Sequence, residues 1–449
     1  MAIKTFDRGI HPSYHKELTS GGRIERAALP KLVIIPLQQH AGAPCELLVK
    51  KGDLVQEGQK IADVKAFVSA PIHASISGKV KDIDLADHPG GSRAMAITIE
   101  GDGLMRDWVA GAVQTDISAI SADALRDIIR EAGIVGMGGA AFPTSVKLSP
   151  PKGKTIDTVI LNGCECEPFL TADHRIMVEE AGAVIWGLRA LMKAVGAGAG
   201  LIGIEENKPD AIDALDKAVG SSNDIRLVIL ETKYPQGAEK MLIAAAMGRK
   251  VPTGKLPLDV GVVVNNVGTA VAIYEAVNLK KPLIERVVTI SGNGVTAPKN
   301  LRVRVGTTFE EVIGQCGGLK TSEGDMEVLN GGPMMGITQS TLTVPVIKGT
   351  SGITVLTARQ IKPVAYDPCI KCSSCVEVCP MGLMPYRLGD YGRAHRTDDL
   401  KAWDALACIE CGCCSYVCPA KRPLLHWIRV GKLKIREEAA KAAAKAAKA

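Results

Sequence analysis

Two repeated cysteine runs near the C-terminus constrain this chain more than any other feature. Each run has the spacing C-x2-C-x2-C-x3-C and is followed by proline. The runs contain eight of the thirteen cysteines: Cys369, Cys372, Cys375, Cys379, Cys408, Cys411, Cys414 and Cys418. The N-terminus lacks the apolar segment of a secretory signal, so we expect a reducing compartment. There, clustered thiols indicate metal or redox chemistry rather than disulfides.

The spacing of each run is that of bacterial two-cluster ferredoxins, in which cysteine thiolates bind [4Fe–4S] clusters. The alternative, a pair of structural zinc sites, would more often show separated C-x2-C pairs. The sequence therefore predicts two [4Fe–4S] clusters. In this pattern the fourth cysteine of each run binds the other cluster. The predicted sets are Cys369, Cys372, Cys375 and Cys418, and Cys408, Cys411, Cys414 and Cys379. Cys413 is outside this register, and we interpret it as a packed thiol that does not bind iron.

Composition and charge exclude several classes of function. The chain has 449 residues and 46% hydrophobic residues, enough for several globular domains. A net charge of +6 and only 4% aromatic residues argue against a nucleic-acid partner. No uncharged apolar stretch is long enough to predict a membrane span. We therefore expect a soluble or peripheral protein.

The N-terminal part is predicted to be β-structure. After an N-terminal extension over 1–30, residues 31–119 contain short β-branched runs separated by turns at glycines such as Gly52 and Gly78. This pattern is typical of small hairpins. It resembles the barrel-sandwich domains that carry lipoyl or biotinyl groups. Lys65 would be the modified lysine, but its surroundings match that motif poorly, so we interpret the region as an unmodified structural domain.

The middle of the chain alternates helical and strand-like segments. Over 120–285, a predicted helix at Val178–Val195 and a predicted buried strand at Thr158–Leu161 are typical of an α/β domain. Residues 286–345 return to strands with a short helix over Thr308–Cys316, which predicts a β-grasp domain. The predicted fold class is therefore multidomain α/β plus β.

The cysteine module spans residues 362–430 in this division. The linker between the two runs has apolar residues at helical spacing, which predicts an α-helical ferredoxin domain. The tail over 431–449 is rich in Ala and Lys and has no apolar stripe in its last part. We expect a solvated helix or a disordered end there.

A glycine-rich loop lies between the predicted helix after Ser121 and the strand at Thr158. Gly136, Gly138 and Gly139 are followed by Lys147 at its end. Glycines let backbone N–H groups approach a phosphate closely, and the lysine would add a point charge. On the residues alone, a phosphate site and an ordinary turn remain equal alternatives.

Four segments together resemble a known family. They are Gly136–Lys147, Asn162–Pro168, Tyr234–Glu239 and Val263–Thr269. In this order they resemble the flavin site of the NADH-binding subunit of respiratory complex I. Together with the opening Gly9–Pro12, the barrel-sandwich region, the β-grasp region and the doubled cysteine run, they resemble the RnfC subunits of Rnf complexes. That resemblance covers about residues 5 to 430.

The resemblance implies FMN and NAD(H) as further cofactors. It implies that the glycine loop and Lys147 hold the FMN phosphate and that the asparagines contact the flavin ring or ribityl chain. Glu167 and Glu239 would contact the nicotinamide nucleotide, and Phe142 could stack on its adenine. The cofactor-binding residues predicted in this way are Gly136, Gly138, Gly139, Phe142, Lys147, Asn162, Glu165, Glu167, Tyr234, Gly237, Glu239, Asn265 and Asn266.

The chain departs from the complex I pattern at three positions of these motifs. Met137 replaces an arginine, and Cys164 and Cys166 replace an acidic residue and a serine. These changes affect the expected geometry of nucleotide binding rather than the flavin loop. The complex I subunit also has one four-cysteine cluster, whereas the eight cysteines here are typical of the Rnf type.

We therefore expect an electron-transfer subunit of an ion-translocating membrane complex that exchanges hydride between NAD(H) and FMN. The resemblance implies other complex subunits and NADH as partners, ferredoxin as an indirect partner, and a peripheral place on the cytoplasmic side of the bacterial inner membrane. Two alternatives remain open. One is a soluble flavin and iron–sulfur reductase of the cobalamin-reductase type, and the other is an electron-relay module that binds no nucleotide.

Overall fold

The computed structural model describes residues 2–320, 322, 324–361 and 365–446. The strands are β1 (Ile24–Arg26), β2 (Leu32–Pro36), β3 (Glu46–Leu47), β4 (Leu54–Val55), β5 (Lys60–Asp63), β6 (Ile72–His73), β7 (Gly78–His88), β8 (Ser92–Gly101), β9 (Thr158–Gly163), β10 (Ala199–Glu205), β11 (Ile225–Leu230), β12 (Val262–Asn266), β13 (Glu285–Ser291), β14 (Lys299–Arg304), β15 (Met326–Asn330), β16 (Ile337–Thr338) and β17 (Gly352–Thr357).

The helices are α1 (Ala122–Glu131), α2 (Thr144–Lys147), α3 (Ala172–Glu179), α4 (Ala181–Val195), α5 (Pro209–Val219), α6 (Glu239–Met247), α7 (Val267–Asn278), α8 (Phe309–Gly314), α9 (Ser374–Glu377), α10 (Pro385–Arg393), α11 (Thr397–Ala402), α12 (Cys413–Tyr416) and α13 (Leu424–Ala446). Among the described residues, no helix combines the length and apolar content that crossing a membrane requires.

The N-terminal β-region consists of two small sheets. One has the strand order β2-β8-β7-β4 and the other the order β3-β5-β6. Strand β2 buries alternate residues, Val33 and Ile35, against Ile61, Ile97 and Ile99, all of which are inaccessible to solvent. Alternation with a period of two places one face of each strand in this shared core. This is the barrel-sandwich arrangement predicted from the sequence.

The α/β region contains a parallel sheet with the order β11-β10-β9-β12. Helix α1 begins after Ser121, whose hydroxyl accepts a hydrogen bond from the amide of Ala124 at 3.2 Å. The register of β9 and β12 pairs Asn162 with Asn266. Two of the predicted site residues therefore lie side by side at the carboxyl edge of the sheet, where open α/β sheets bind ligands.

Where a single helix over Val178–Val195 was predicted, the structure has two. Helix α3 ends at Glu179 and α4 begins at Ala181, because Glu180 has the non-helical dihedrals φ −127° and ψ 28°. The carboxylate of Glu180 instead forms an ion pair with Arg302 of β14. This contact with another domain is long-range, so the helical periodicity of the sequence does not reveal it.

The β-grasp region is one mixed sheet with the order β1-β14-β13-β17-β15-β16. Its helix α8 begins after Thr308, whose hydroxyl accepts a hydrogen bond from the amide of Glu311 at 3.3 Å. Phe309 and Ile313 of this helix are buried against the sheet. Strand β1 belongs to the N-terminal extension and pairs in parallel with β14. The extension thus crosses between domains.

The cysteine module is helical, as predicted. Helices α10 and α13 pack so closely that a Cβ on Gly392 would lie 2.2 Å from the carbonyl oxygen of Trp427. The short helices α9 and α12 carry Cys375 and Cys414 at their starts. Helix α13 continues as an exposed helix from Arg436 into the tail. Residues 447–449 of the predicted tail lie outside the described residues.

A pair of glycines in α4 tests the packing of this helix on α7. At Gly187 an added Cβ would lie 2.1 Å from the carbonyl oxygen of Ala270, whereas at Gly182 no described heavy atom lies within 4 Å. Gly187→Ala should therefore destabilise the protein by about 1–3 kcal/mol through overpacking. Gly182→Ala, the matched control, should be neutral or stabilise by up to about 1 kcal/mol because alanine is the better helix former. Thermal melting of both variants measures this, and equal melting temperatures would contradict the proposed close packing.

Candidate functional site

The glycine loop lies open at the carboxyl edge of the parallel sheet. Gly138 and Gly139 are exposed, and Gly139 has φ 102°, which favours glycine. The atoms nearest to an added Cβ on Gly138 belong to the side chain of Asn266, at 3.8 and 3.9 Å. The loop therefore passes over the end of β12 and leaves its outer side free for a ligand.

Contacts from three regions hold the inner side of this loop. The amide of Met137 donates to Thr269 Oγ1 of α7 at 3.0 Å. Arg286 of β13 donates to the carbonyl oxygen of Met137 at 3.3 Å. The amide of Ala41, in the barrel-sandwich region, donates to the carbonyl oxygen of Ala141 at 3.1 Å. The loop conformation is thus fixed before a ligand binds.

Arg286 is a buried cation directly beneath the loop, and no sequence pattern indicated it. Its burial lowers the pKa of the guanidinium to about 10, although the neighbouring carboxylates of Asp173 and Glu165 oppose this shift. Burial and the negative charge of Glu165 raise the pKa of Asp173 to about 7, while its bond to Asn266 and the charge of Arg286 act in the opposite direction. A compact group of charges therefore lies behind the glycine loop.

The three predicted asparagines are in different hydrogen-bonding states. Asn266 donates to Asp173 Oδ2 at 2.6 Å and accepts from the amide of Gly268 at 2.8 Å, which caps α7. Asn162 donates to the carbonyl oxygen of Gly237 at 2.8 Å. Asn265 is buried, and its Nδ2 has no hydrogen-bond partner among the described residues. A buried amide without a partner requires an explanation, and a bound ligand at this edge would provide one.

Two more buried polar groups of these motifs lack partners among the described residues. They are the hydroxyl of Thr144 and the side-chain amide of Gln236, both inaccessible to solvent. Thr144 lies within the glycine loop segment and Gln236 within the Tyr234–Glu239 segment. Their position in those motifs was therefore a signal that could have added them to the predicted site.

Lys147 and Glu239 face each other across the site. Lys147 Nζ donates to Glu239 Oε1 and to the carbonyl oxygen of Val264, both at 2.6 Å. Both side chains are about one-third exposed. An opposed cation and carboxylate at one edge can contact a phosphate and a hydroxyl-rich group respectively.

Glu165 and Glu167 hold backbone elements in place. Glu165 accepts from the amides of Asp173 and His174 at 2.9 and 3.0 Å, at the start of α3. Glu167 Oε1 accepts from the amides of Met334 and Met335 at 2.6 and 3.0 Å. Burial raises the pKa of Glu167, and these two backbone bonds partly offset the shift. In this structure both carboxylates are therefore engaged with the protein, and their contact with NADH stays a prediction. Phe142 is partly buried in the loop.

The cysteines group across the two runs. Burial raises the pKa of Cys375, and the nearby thiols of Cys418, Cys369 and Cys372 raise it further. Burial likewise raises the pKa of Cys414, and here the thiols that add to the shift are Cys408, Cys411 and Cys379. The structure thus brings Cys418 to the first run and Cys379 to the second.

A largely apolar cavity lies at the second of these two groups. Its lining includes Cys379, Cys408, Cys411 and Cys414. In the part of the chain that the structure describes, no three His, Cys, Asp or Glu side chains gather closely enough for a single metal ion. Four thiols around a cavity are the donor set that an iron–sulfur cluster uses.

The flavin-side motifs contact the cysteine module directly. The hydroxyl of Tyr234 donates to the carbonyl oxygen of Cys411 at 2.7 Å. Tyr234, Cys166 and Ile10 also pack with Cys411 and Cys413 in one apolar cluster. Tyr234, a predicted site residue, therefore joins the two halves of the site.

Four domain families match successive parts of the chain. The RnfC barrel sandwich hybrid domain matches residues 4–104, and the Nuo51 FMN-binding domain matches residues 129–275. The SLBB domain matches residues 287–338, and the 4Fe-4S dicluster domain matches residues 368–422. The predicted fold class is confirmed, and so are FMN and [4Fe–4S] clusters as the cofactors of these domains.

Several proteins are similar over most of the chain. The RnfC subunit of the Na(+)-translocating ferredoxin:NAD(+) oxidoreductase complex of Acetobacterium woodii is 47% identical over 433 residues, covering 96% of this chain and 97% of that protein. The RnfC subunit of the proton-translocating ferredoxin:NAD(+) oxidoreductase complex of Clostridium ljungdahlii is 48% identical, covering 95% and 93%. The RnfC subunit of the ion-translocating oxidoreductase complex of Rhodobacter capsulatus is 43% identical, covering 87% and 75%.

A solved NAD+-reducing [NiFe]-hydrogenase in the H2-reduced state covers 72% of this chain and 61% of its own chain, with 17% identity and a TM-score of 0.48. This likeness is too weak to add to the assignment. The identity to RnfC relatives over nearly the whole chain, together with the RnfC barrel-sandwich match, decides it. The chain belongs to the RnfC family, whose members are subunits of the Rnf-type ion-translocating ferredoxin:NAD+ oxidoreductase complexes.

Proposed function

We propose that this chain is the electron-transfer subunit on the cytoplasmic face of a membrane ion-translocating complex, where it exchanges electrons between NAD(H) and an iron–sulfur relay. The observation that carries the proposal is the hydrogen bond from Tyr234 to Cys411, 2.7 Å long, because it joins the flavin-side motifs to a four-thiol group. An electron relay needs its cofactor sites close together, and this contact provides that closeness.

The residues at the sheet edge fit FMN. The open glycine loop at Gly136, Gly138 and Gly139 can take the phosphate on its backbone amides. The unpartnered Nδ2 of Asn265 offers a donor for the flavin ring or ribityl chain. FMN, when bound, accepts a hydride and releases its electrons singly. The chain's part is to orient it, with Asn162 and Asn266 fixing the turns around it.

NADH would bind on the side of Glu239 and Phe142. Glu239 can accept hydrogen bonds from ribose hydroxyls or a carboxamide, and Phe142 can stack on the adenine. Glu165 and Glu167 are proposed at the same site, where their buried carboxylates shape the backbone on which the nucleotide lies. Gly237 lets this backbone approach closely, since an added Cβ there would lie 3.3 Å from the Cβ of Cys164.

The partners and the location follow from the family. The related proteins are named as subunits of ferredoxin:NAD(+) oxidoreductase complexes that translocate Na+ or protons. We propose that this chain assembles with other subunits of such a complex, receives electrons that originate in ferredoxin, and lies on the cytoplasmic side of the inner membrane. Ion movement would take place in the other subunits.

The function is tested by adding NADH anaerobically to the FMN-loaded, cluster-containing protein. NADH should bleach the flavin absorbance and produce the electron paramagnetic resonance (EPR) signals of reduced clusters. A flavin that stays oxidised would contradict the proposal and favour the electron-relay module. Copurification with membrane subunits is expected, and a chain that purifies alone from the soluble fraction would favour the soluble reductase.

Gly138→Val tests the phosphate site. The variant should lose most of its FMN, because the valine side chain would fill the space where a phosphate meets the loop amides. The apo fold should tolerate it, since the nearest atoms to the added Cβ are at ordinary contact distances of 3.8 Å or more. Gly111→Val, in an exposed turn with no described atom within 4 Å of an added Cβ, is the matched control. Flavin absorbance per protein measures the result, and normal flavin content in Gly138→Val would exclude this assignment.

Glu239→Ala tests the nucleotide site. Loss of a hydrogen bond to a charged group costs about 1.5–3 kcal/mol, so the NADH concentration for half-maximal flavin reduction should rise about ten- to a hundredfold. The flavin should stay bound, because Lys147 keeps its bond to Val264. Asp216→Ala, which removes an exposed carboxylate of α5, is the control. Loss of flavin with unchanged NADH dependence would reverse the proposed roles.

The proposed cross-run sets are tested by removing one detached cysteine. Cys379→Ala should lose the cluster of the second run and about half of the iron, while the first-run cluster keeps four thiolates. Cys413→Ala should keep both clusters. Iron determination and EPR spectra of the reduced proteins distinguish these outcomes. If Cys379→Ala removed only the first-run cluster, each run would form its own four-cysteine site.

A further inference from the structure

The two cysteine groups differ in their access to solvent. We call Cys369, Cys372, Cys375 and Cys418 the outer set, and Cys408, Cys411, Cys414 and Cys379 the inner set. Among the described cysteines, Cys372 of the outer set is the exposed one. In the inner set, three thiols are buried and Cys408 is partly buried. The outer set therefore reaches the protein surface, and the inner set does not.

The inner set contacts the flavin side of the molecule. Cys411 packs with Cys166 and Tyr234, and its carbonyl oxygen accepts the hydrogen bond from Tyr234. An added Cβ on Gly412 would lie 2.8 Å from the carbonyl oxygen of Met334, whose amide is bonded to Glu167. Two of the four flavin-site motifs thus lead to the inner set.

The two sets are packed against each other. Cys375 of the outer set and Cys414 of the inner set belong to one apolar cluster with Leu424 and Trp427 of α13. Both side chains are 8% exposed. Two clusters bound at these cysteines would therefore be adjacent, with dry protein between them.

The surface around the outer set is open. Ile370 is 67% exposed and lies in the same loop as Cys369 and Cys372, and Tyr366 just before it is 43% exposed. Lys371 of this loop is also exposed. A one-electron partner can therefore come close to the outer set without displacing any part of the fold.

We propose that the sets have fixed places in the relay: the inner set adjoins the nucleotide and flavin site, and the outer set is the contact point for the external one-electron partner. This rests on the proposed function. In the NADH-oxidising direction, one hydride brings two electrons and one proton. The electrons pass one at a time from the inner to the outer set and then to two equivalents of a one-electron carrier protein, while the proton goes to water. The opposite direction uses the same order in reverse.

Differential labelling of the wild-type holoprotein tests the positions of the two sets without any substitution. Ferricyanide is added in small steps, and the thiols that each step releases are alkylated with iodoacetamide and mapped by mass spectrometry. The outer set should be alkylated first, beginning with Cys372, because oxidant and reagent reach it from solvent. Alkylation of the inner set first, or of both sets together, would overturn the proposal.

Reduction by NADH tests the order. In Cys408→Ser, which interrupts the inner set, dithionite should still reduce the outer cluster, whereas NADH should reduce it many times more slowly than in the wild type. In Cys372→Ser, NADH should still reduce the inner cluster at the wild-type rate. Cys413→Ser is the control and should behave as wild type. Rapid-freeze EPR measures each cluster. Rapid reduction of the outer cluster by NADH in Cys408→Ser would overturn the order.

The two levels of the argument fail in different ways. If NADH bleaches the flavin in none of these proteins, the proposed function is wrong, while the labelling order still reports which set is outermost. If NADH bleaches the flavin in all of them but the outer cluster fills without the inner one, only the order is wrong. Dithionite reduction of the remaining cluster in each variant shows that the module has folded.

Discussion

Two buried cations hold three domains together behind the glycine loop, and the geometry of the site depends on them. Arg286 of the β-grasp sheet donates to the carbonyl oxygens of Met137 and Lys348, at 3.3 and 2.6 Å. Lys348 Nζ donates to the carbonyl oxygens of Gly133 and Pro71, at 2.7 and 2.6 Å. Burial lowers the pKa of Lys348 to about 7. Burying such groups is costly unless they are hydrogen-bonded, so these carbonyls must stay in place. The loop that faces the ligand is therefore rigid on its inner side.

These cations also show which part of the site could be predicted from the sequence. The cysteine spacing and the glycine loop are local patterns, and the structure brings their residues together. Arg286 lies far along the chain from Met137, within a strand of another domain, so no spacing or periodicity connects the two. The same holds for the break at Glu180, which depends on Arg302. Local patterns indicated the residues that face the ligand, while the residues that support them come from tertiary packing.

The asparagines show a second limit of sequence patterns. Adjacent Asn265 and Asn266 invite one shared role, yet successive side chains of a strand point to opposite faces. Asn266 caps α7 and bonds to Asp173, whereas the amide of Asn265 keeps a free donor among the described groups. A motif therefore combines residues that bind a ligand with residues that hold the turn. The hydrogen bonds of the folded chain distinguish the two kinds, and the residue types do not.

The cysteine module extends the same division between binding and supporting residues. Each set takes one thiol from the other run, so a bound cluster would cross-link the segments before and after helix α10. Gly389 and Gly392 of α10 lie against Leu424 and Trp427 of α13, where added Cβ atoms would be 2.8 and 2.2 Å from atoms of those two residues. This close helix pair forms a scaffold whose geometry does not itself require iron, and the cluster loops project from its ends. The polypeptide therefore sets the distance between the two sets, and iron would fix the loops within that distance, which keeps the inner and outer places of the relay distinct.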